Sequence, residues 1–371
     1  MANFTVRTDN SRFDSPGWGG GNNFTSIPKS TVSFTRYSDQ TVVYCNHPEM
    51  VGQSNFGDSA NSKYLNRVTI NTPHFSVYAS YDTNYSGTCK LAVRAWNPNN
   101  NNITLTLQNK GFNSKKKDAN GWNVACDAFS RYFNTITPTS HTLLPNSGTW
   151  IIAEDVVASG LCELLASFTT TGTVVVAVYL CTNVANIPGT TFEVAQNNAL
   201  EYSGKTNSSF IETSHSMRAS DLFVSYYNSV FFGLSQSRFS GNANERTDVT
   251  LHQSPNPVAS EYSPTAWLQN IGNWGLQYQF HTTLSNNTGN VVKFKGYILS
   301  NPSGHCAGIQ SGGIGVGKFL GTQYVPGNHM RWNFCETASI ASGNSITLDY
   351  QYMHLSKGNA PCIMQWEVVN I

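Results

Sequence analysis

The sequence predicts an all-β protein: two tandem antiparallel β-sandwiches of the jelly-roll or immunoglobulin type behind a short N-terminal β arm. Three observations carry this. Apolar runs alternate with period two, the mark of strands buried on one face. The stretches between them are filled with Asn, Thr, Ser, Gly and Pro, the residues of turns. The pattern also starts again in the second half. "SVYASYDTNYSGTCKLAVRAWNPNN" from Ser76 and "LQYQFHTTLSNNTGNVVKFKGYILSNPSG" from Leu276 each read strand, polar turn, strand, Asn-Pro, and "TLLPNSGTWIIAED" pairs with "SIASGNSITLDYQYM" as turn then strand. An old duplication accounts for this, with an arm and glycine hinge at 1–24, a first sandwich at 25–190 and a second at 191–371.

Taken in order, the arm holds "NFTVRT", alternating around Phe4 and Val6. Gly17, Gly19, Gly20 and Gly21 follow; without side chains they open φ values closed to other residues, so they read as a hinge. Strands are expected in "STVSFTRYS", "QTVVYCN", "RVTINTPHFSVYASYDT", "CKLAVRAWNP" and "NITLTLQNKGF". In "WNVACDAFSRYF" the residues Val124, Ala128, Phe129, Tyr132 and Phe133 fall roughly on one helical face, which predicts a helix there. "HTLLPNSGTWIIAED", "GLCELLASFTT" and "TVVVAVYLC" return to strands. The second set is "SDLFVSYYNSVFFGL", "TDVTLHQ", "WGLQYQFHTTLSNNTG", "NVVKFKGYILSNP", "SITLDYQYMHL" and "CIMQWEVVNI".

Charged residues are 12% of the 371 and the net charge is +1, so no single-sign field exists to attract nucleic acid or an anionic membrane. No run of about 18 apolar residues occurs, and "MANFTVRTDN" lacks both the basic and the apolar region of a secretion signal. The eight cysteines, Cys45, Cys89, Cys126, Cys162, Cys181, Cys306, Cys335 and Cys362, form no C-x-x-C pair, which argues against zinc-ribbon chemistry. Buried thiols and disulfides both stay open.

Chemical motifs are thin. "GGIGVGKF", Gly312 to Phe319, has the G-x-x-x-x-G-K core of a phosphate loop, but Phe319 stands where a Ser or Thr should hold magnesium and no helix pattern follows. It reads as a glycine-rich surface loop at an assembly contact. His47 and Glu49 sit in one turn without further ligands, no G-x-S-x-G elbow occurs, and Glu154 with Asp155 is the kind of acidic pair a glycosidase could use. Lys115 to Lys117 reads as a solvated loop. Trp96, Trp122, Trp150, Trp267, Trp274, Trp332 and Trp366 could form a sugar-stacking face, although most fall at core parity. Lys90, Lys293 and Lys295, in strand-like runs, are candidates for amide bonds to an Asn or Asp side chain, which require an apolar pocket that lowers the amine pKa.

The pieces "VVYCNHPEMV", "WNPNNNNITLTLQNKGF", "LLPNSGTWIIAED", "IGNWGLQYQFHTTLSNNTG" and "KGYILSNPSG" resemble a tandem β-sandwich module of Firmicutes surface proteins, found in some of them beside a copper amine oxidase N-terminal-like wall domain. The resemblance covers most of residues 40–370 and rests on pattern and turns. It implies an extracellular structural role and transfers no site. The glycine-hinged arm makes the chain more similar to self-assembling fibre and spore-appendage subunits. The expectation is therefore a structural, non-enzymatic subunit of a bacterial extracellular or spore-surface fibre, without cofactor, metal, nucleic acid or membrane insertion. It would polymerise head to tail as Phe4 and Val6 of one arm enter a neighbour's sheet edge. The alternatives are a carbohydrate-binding or adhesive surface module and a viral capsid jelly-roll protein.

Overall fold

The computed structural model describes residues 1–14, 30, 32, 34–37, 39–45, 50–53, 56, 64–118, 121–134, 137–187, 204–206, 210–234, 253–255, 274–299, 305–320, 328–357 and 362–371. The first half holds β1 (Asp9–Asp14), β2 (Thr35–Arg36), β3 (Gln40–Cys45), β4 (Met50–Val51), β5 (Asn66–Ile70), β6 (His74–Thr83), β7 (Cys89–Asn97), β8 (Ile103–Lys116), α1 (Val124–Asn134), β9 (Thr139–Leu143), β10 (Ser147–Val156), β11 (Gly160–Thr170) and β12 (Val174–Cys181). The second holds β13 (Gly204–Thr206), β14 (Phe210–Arg218), α2 (Ala219–Phe223), β15 (Ser229–Leu234), β16 (Gln253–Pro255), β17 (Gln277–Ser285), β18 (Val292–Leu299), β19 (His305–Ser311), β20 (Ile314–Leu320), β21 (Asn328–Glu336), β22 (Ser345–Leu355) and β23 (Cys362–Asn370). The all-β expectation holds, and α1 lies where the helical pattern placed it.

The chain divides into two compact units. One comprises Met1–Arg36, Phe210–Thr250 and Asn270–Ile371; the other comprises Tyr37–Ser209 and Leu251–Gln269. The arm expected as a separate segment at 1–24 thus belongs, through its described residues 1–14, to the unit of the second sandwich. We call that unit C and the other unit N.

Unit N pairs a sheet ordered β10-β7-β12-β5 with one whose core is β3-β6-β11-β8-β9. Unit C pairs β21-β18-β23-β15 with β14-β17-β22-β19-β20. Matched in chain order, the two sets are the same diagram, down to the parallel first pair, β3 with β6 and β14 with β17. From β5 to β12, eight strands follow the order of a jelly roll, changing sheet at every step except β8 to β9, and β15 to β23 repeat it without β16. The repeat read between Ser76 and Leu276 is therefore β6–β7 against β17–β18. The second pairing was one strand out of step: "TLLPNSGTWIIAED" runs through β10, whose counterpart is β21, whereas "SIASGNSITLDYQYM" runs into β22.

The cores differ in chemistry. Between the sheets of unit N, alternate residues such as Val77, Ala79, Val93, Leu164, Ala166, Val176 and Val178 form one aliphatic core. In unit C the filling is aromatic: Phe280 stacks on Tyr350 at 5.2 Å, and Phe334 meets Tyr350 at 5.6 Å and Trp366 at 5.7 Å. Offset and edge contacts of this kind add about 0.5–1.5 kcal/mol per pair beyond burial. On the outer face of β8, α1 packs against Gly111, where an added Cβ would lie 1.9 Å from the Ala128 carbonyl oxygen.

Candidate functional site: the seat of the arm

Unit C departs from its twin at one strand. In unit N, β8 runs 14 residues and pairs β11 from Leu105 to Lys116 before α1 begins. In unit C the equivalent β19 has seven residues and pairs β22 only from Cys306 to Gln310. It ends because Gly312 (φ 61°) and Gly313 (φ 82°) turn the chain straight back into β20, Ser311 facing Ile314. Two consecutive positive-φ residues make the tight hairpin turn that glycine permits. The phosphate-loop look-alike is thus a β-hairpin, with strand where a helix would be needed.

The arm takes the place that β19 leaves beside β22. Ala2 donates its N–H to Thr347 O (2.7 Å) and accepts from the Asp349 N–H (3.1 Å), forming a parallel bridge to Leu348. Phe4 N–H donates to Ser311 Oγ (3.1 Å), and that hydroxyl donates to Asp349 O (2.9 Å). The Phe4 ring meets Phe334 of one sheet at 6.2 Å and Tyr350 of the other at 5.8 Å, and Val6 is 7% exposed. Three side chains then take hold of arm backbone or hydroxyl. Trp332 Nε1 donates to Arg7 O (2.7 Å), Lys318 Nζ to Thr8 O (2.8 Å) and Arg331 Nε to Ser11 Oγ (2.9 Å). Asp9–Asp14 completes the attachment as an antiparallel edge strand on β21. Pairing is thus displaced from "NFTVRT" to the polar "DNSRFD". Gly312 matters here too, since a Cβ on it would come 3.2 Å from Asn3 Cβ.

Beside Ala2 lies a depression of about 550 Å³ lined by Met1, Glu212, Ser214, His215, Ser216, His281, Thr283 and Thr347. His281 Nε2 sits 2.5 Å from Glu212 Oε1, and Nδ1 sits 2.9 Å from Asp349 Oδ1. His215 is turned inward between Phe232 and Phe280 with Nε2 3.3 Å from Thr282 Oγ1. Burial pushes its pKa down to about 4, and its Nδ1 has no hydrogen-bond partner among the described residues.

The other expected site residues do not converge. Gly17, Gly19, Gly20, Gly21, His47, Glu49 and Trp267 lie outside the described residues. Lys90 pairs with Asp155 at 2.5 Å, but Asp155 is 70% exposed, and the hydrogen bond to that carboxylate raises the ammonium pKa. That is the reverse of what an amide-forming lysine needs. Lys293 pairs with Glu336 at 3.3 Å, and Lys295 stands opposite Glu336 and Glu367, so both face carboxylates of Glu rather than Asn or Asp. Glu154 is held by Lys110, while Lys115 and Lys117 pair with Asp127 and Asp82. Trp332 and Trp366 are buried, Trp96 and Trp150 pack on the outer face of the four-stranded sheet, and Trp122 is exposed. All eight cysteines are buried, and none is in a disulfide. Among the described residues no helix is long and apolar enough to cross a membrane, and no group of three or more His, Cys, Asp or Glu is placed to hold a metal.

Phe4 and Val6, expected to enter a neighbour's sheet edge, pack here on their own chain, and the sequence did not reveal their seat: Ser311, Lys318, Trp332 and Asp349. The available signal was Gly312–Gly313 between two alternating runs, the mark of a short hairpin.

No known protein family and no curated protein matches the chain. Solved structures are similar only remotely. The CUB1-EGF-CUB2 domain of human MASP-1/3 is 8% identical over 82% of this chain and 99% of its own, with a TM-score of 0.17. A Paenibacillus xanthan lyase is 11% identical over 91% of this chain and 25% of its own, at 0.16. The ANXUR2 extracellular domain of Arabidopsis thaliana is 10% identical over 86% and 97%, at 0.10. Overlaps this poor carry no argument about this chain.

Proposed function

We propose that the protein is a structural, non-enzymatic subunit of a closed protein shell of the viral-capsid type, whose arm passes between neighbouring copies. The observation that supports the shell reading is the jelly-roll strand order, present twice in one chain, since that architecture recurs in capsid subunits. Lectins and cupins share it, so fold alone is an analogy. Two further features favour a shell over an extracellular fibre. Eight buried thiols without a disulfide suit folding in a reducing compartment. A surface with few charges suits close packing of copies without self-repulsion.

Exchange of the arm is supported by chain length. Asp14 ends at the β21 edge of its sheet, and Ser30 donates to Phe231 O at the β15 edge. Five strand spacings of about 4.8 Å separate Asp14 from Ser30, roughly 24 Å. The chain from residue 14 to residue 30, glycines included, reaches roughly 50 Å when extended. An arm with that much slack fits the same seat on a neighbour, keeping every contact while joining two copies. Electron microscopy of the full chain, produced in a reducing cytosol, tests the reading. Closed shells are expected. Filaments would return the protein to the fibre class, and a monodisperse monomer at every concentration would remove the assembly reading.

One observation favours a carbohydrate-binding module as the second reading. Tyr227 and Asn228 both hold positive φ (53° and 48°), Tyr226 meets Tyr227 edge-on at 4.3 Å, and Val224 is 88% exposed. Strain of this kind gathers at binding sites. Glycan binding by a monomer, lost in Tyr227→Gly, would establish it.

A further inference from the structure

The seat carries a device that the assembly reading does not require. Asp349 is the hub on which the first four residues of the arm hang. Its N–H holds Ala2 O, and its C=O holds the Ser311 hydroxyl that receives the Phe4 N–H. Its side chain accepts a hydrogen bond from Gln279 Nε2 of β17 at 2.6 Å, and His281 Nδ1 of the same strand lies 2.9 Å from it, at ion-pair distance but not aligned as a hydrogen bond. In the strand register His281 lies directly opposite Asp349 on β22 and Ser214 on β14. Its second nitrogen reaches Glu212 of β14. One imidazole therefore stands between two carboxylates from the strands on either side.

We propose that His281 is a proton-operated clasp on the arm: as an imidazolium it ties Asp349 to Glu212 and keeps the arm on its own chain, and its deprotonation loosens the arm for exchange. The inference rests on the exchange reading above. The chemistry is a count of donors. A protonated ring has two N–H groups for two carboxylates, whereas a neutral ring has one. Losing the proton also leaves two negative charges facing each other across a half-buried site, and charge-assisted hydrogen bonds are about twice as strong as neutral ones. The clasp therefore holds on the acid side and weakens as pH rises.

Among the described residues, β14 presents Glu212 to His281 and carries the inward His215. β22 presents Asp349, and the arm brings Met1 with its α-amino group. His215, with its pKa near 4, keeps one charge state from weakly acidic pH upward. His281 and the amino group of Met1 are the two remaining bases at the depression.

The test is amide hydrogen exchange of residues 2–14 in monomeric protein, as protection factors, from about pH 5.5 to about pH 8.5. Protection is expected to fall about tenfold, the ratio that one pKa unit of differential interaction represents. In His281→Gln it should stay flat, and in Glu212→Gln the fall should shrink. The His281 ring resonance, followed by NMR, should titrate with the same midpoint as the arm. A flat wild-type profile overturns the proposal. So does a fall that survives intact in His281→Gln, which would assign it to Met1. Should His281→Gln fail to fold, Glu212→Gln and the NMR midpoint decide. Microscopy of a chain lacking residues 1–14 separates the two readings: shells that form without the arm defeat exchange while leaving the clasp standing.

Discussion

The two units solve one problem in opposite ways. Each jelly roll must cover β22 or its twin β11 on the side where β8 or β19 runs. Unit N does it with a 14-residue strand and a helix laid over Gly111. Unit C cuts the strand to seven residues with a Gly-Gly turn and fills the gap with the arm, from more than three hundred residues away in sequence. A local solution folds with its neighbours and is rigid by construction. A distant one adds loop-closure entropy, and the element that fills the gap can be supplied by another molecule. The repeat that was left incomplete is the one the arm completes.

Deleting residues 1–14 should break this comparison most forcefully. The buried Val6 and the half-buried Phe4 lose their cover, at about 1.5–3 kcal/mol for a fully buried side chain and less for Phe4, and β21 becomes an open edge. Unit C is expected to lose about 3–5 kcal/mol while unit N keeps its stability. Urea unfolding followed by residue-resolved hydrogen exchange reads each unit separately; equal losses in both would show that the arm is not specific to unit C.

Acid should separate the units next. The His215 pKa, lowered by burial to about 4, lies below the ordinary value of about 6.5 expected in the unfolded chain. The unfolded state therefore takes up the proton first. Stability is whole above about pH 6.5 and is lost as pH falls toward 4, up to about 3 kcal/mol. A melting-temperature series against pH should show the slope in unit C, and His215→Gln should remove it. A slope confined to unit N would contradict the assignment.

The local solution has its own weak point. In Gly111→Ala the new Cβ would meet backbone atoms, 1.9 Å from Ala128 O and 2.6 Å from Tyr132 N, so α1 must move as a body. Overpacking of this kind costs about 1–3 kcal/mol. Unit N alone should lose that amount by thermal unfolding, with the arm's protection unchanged.

What the sequence could reveal follows the same division. The β6–β7 and β17–β18 repeat was legible because each pair is local: strand, turn and strand lie within one window, and alternation marks the buried face. α1 was legible from its 3.6-residue period. The mismatch of "TLLPNSGTWIIAED" with the strand β22 arose because a turn followed by a strand looks alike at β10 and β22; only hydrogen-bond partners tell them apart. The arm showed its apolar residues but not its acceptor, since Ser311, Lys318, Trp332 and Asp349 are spread over four strands and each reads alone as an ordinary strand residue. His281 and Glu212 were hidden for the same reason, as outward-facing polar residues whose meeting depends on register between β14, β17 and β22.

The smallest effect is expected where the units agree. Lys90 on β7 and Lys293 and Lys295 on β18 occupy matched strands, and all three face carboxylates on the neighbouring strand. If these were cross-linking lysines, each amide would remove one water from the intact mass, and replacing the lysine would cost the protein a covalent tie. The geometry argues otherwise. Lys90 and Asp155 meet in solvent, and a lysine whose carboxylate partner raises its pKa stays an ammonium, with no lone pair to attack a carbonyl. Exposed ion pairs contribute at most about 1 kcal/mol. Lys90→Ala is accordingly expected to shift unit N by no more than about 0.5 kcal/mol, with the mass of the parent chain matching its uncross-linked composition. A mass short by one water, restored in the variant, would show that this strand position is reactive after all.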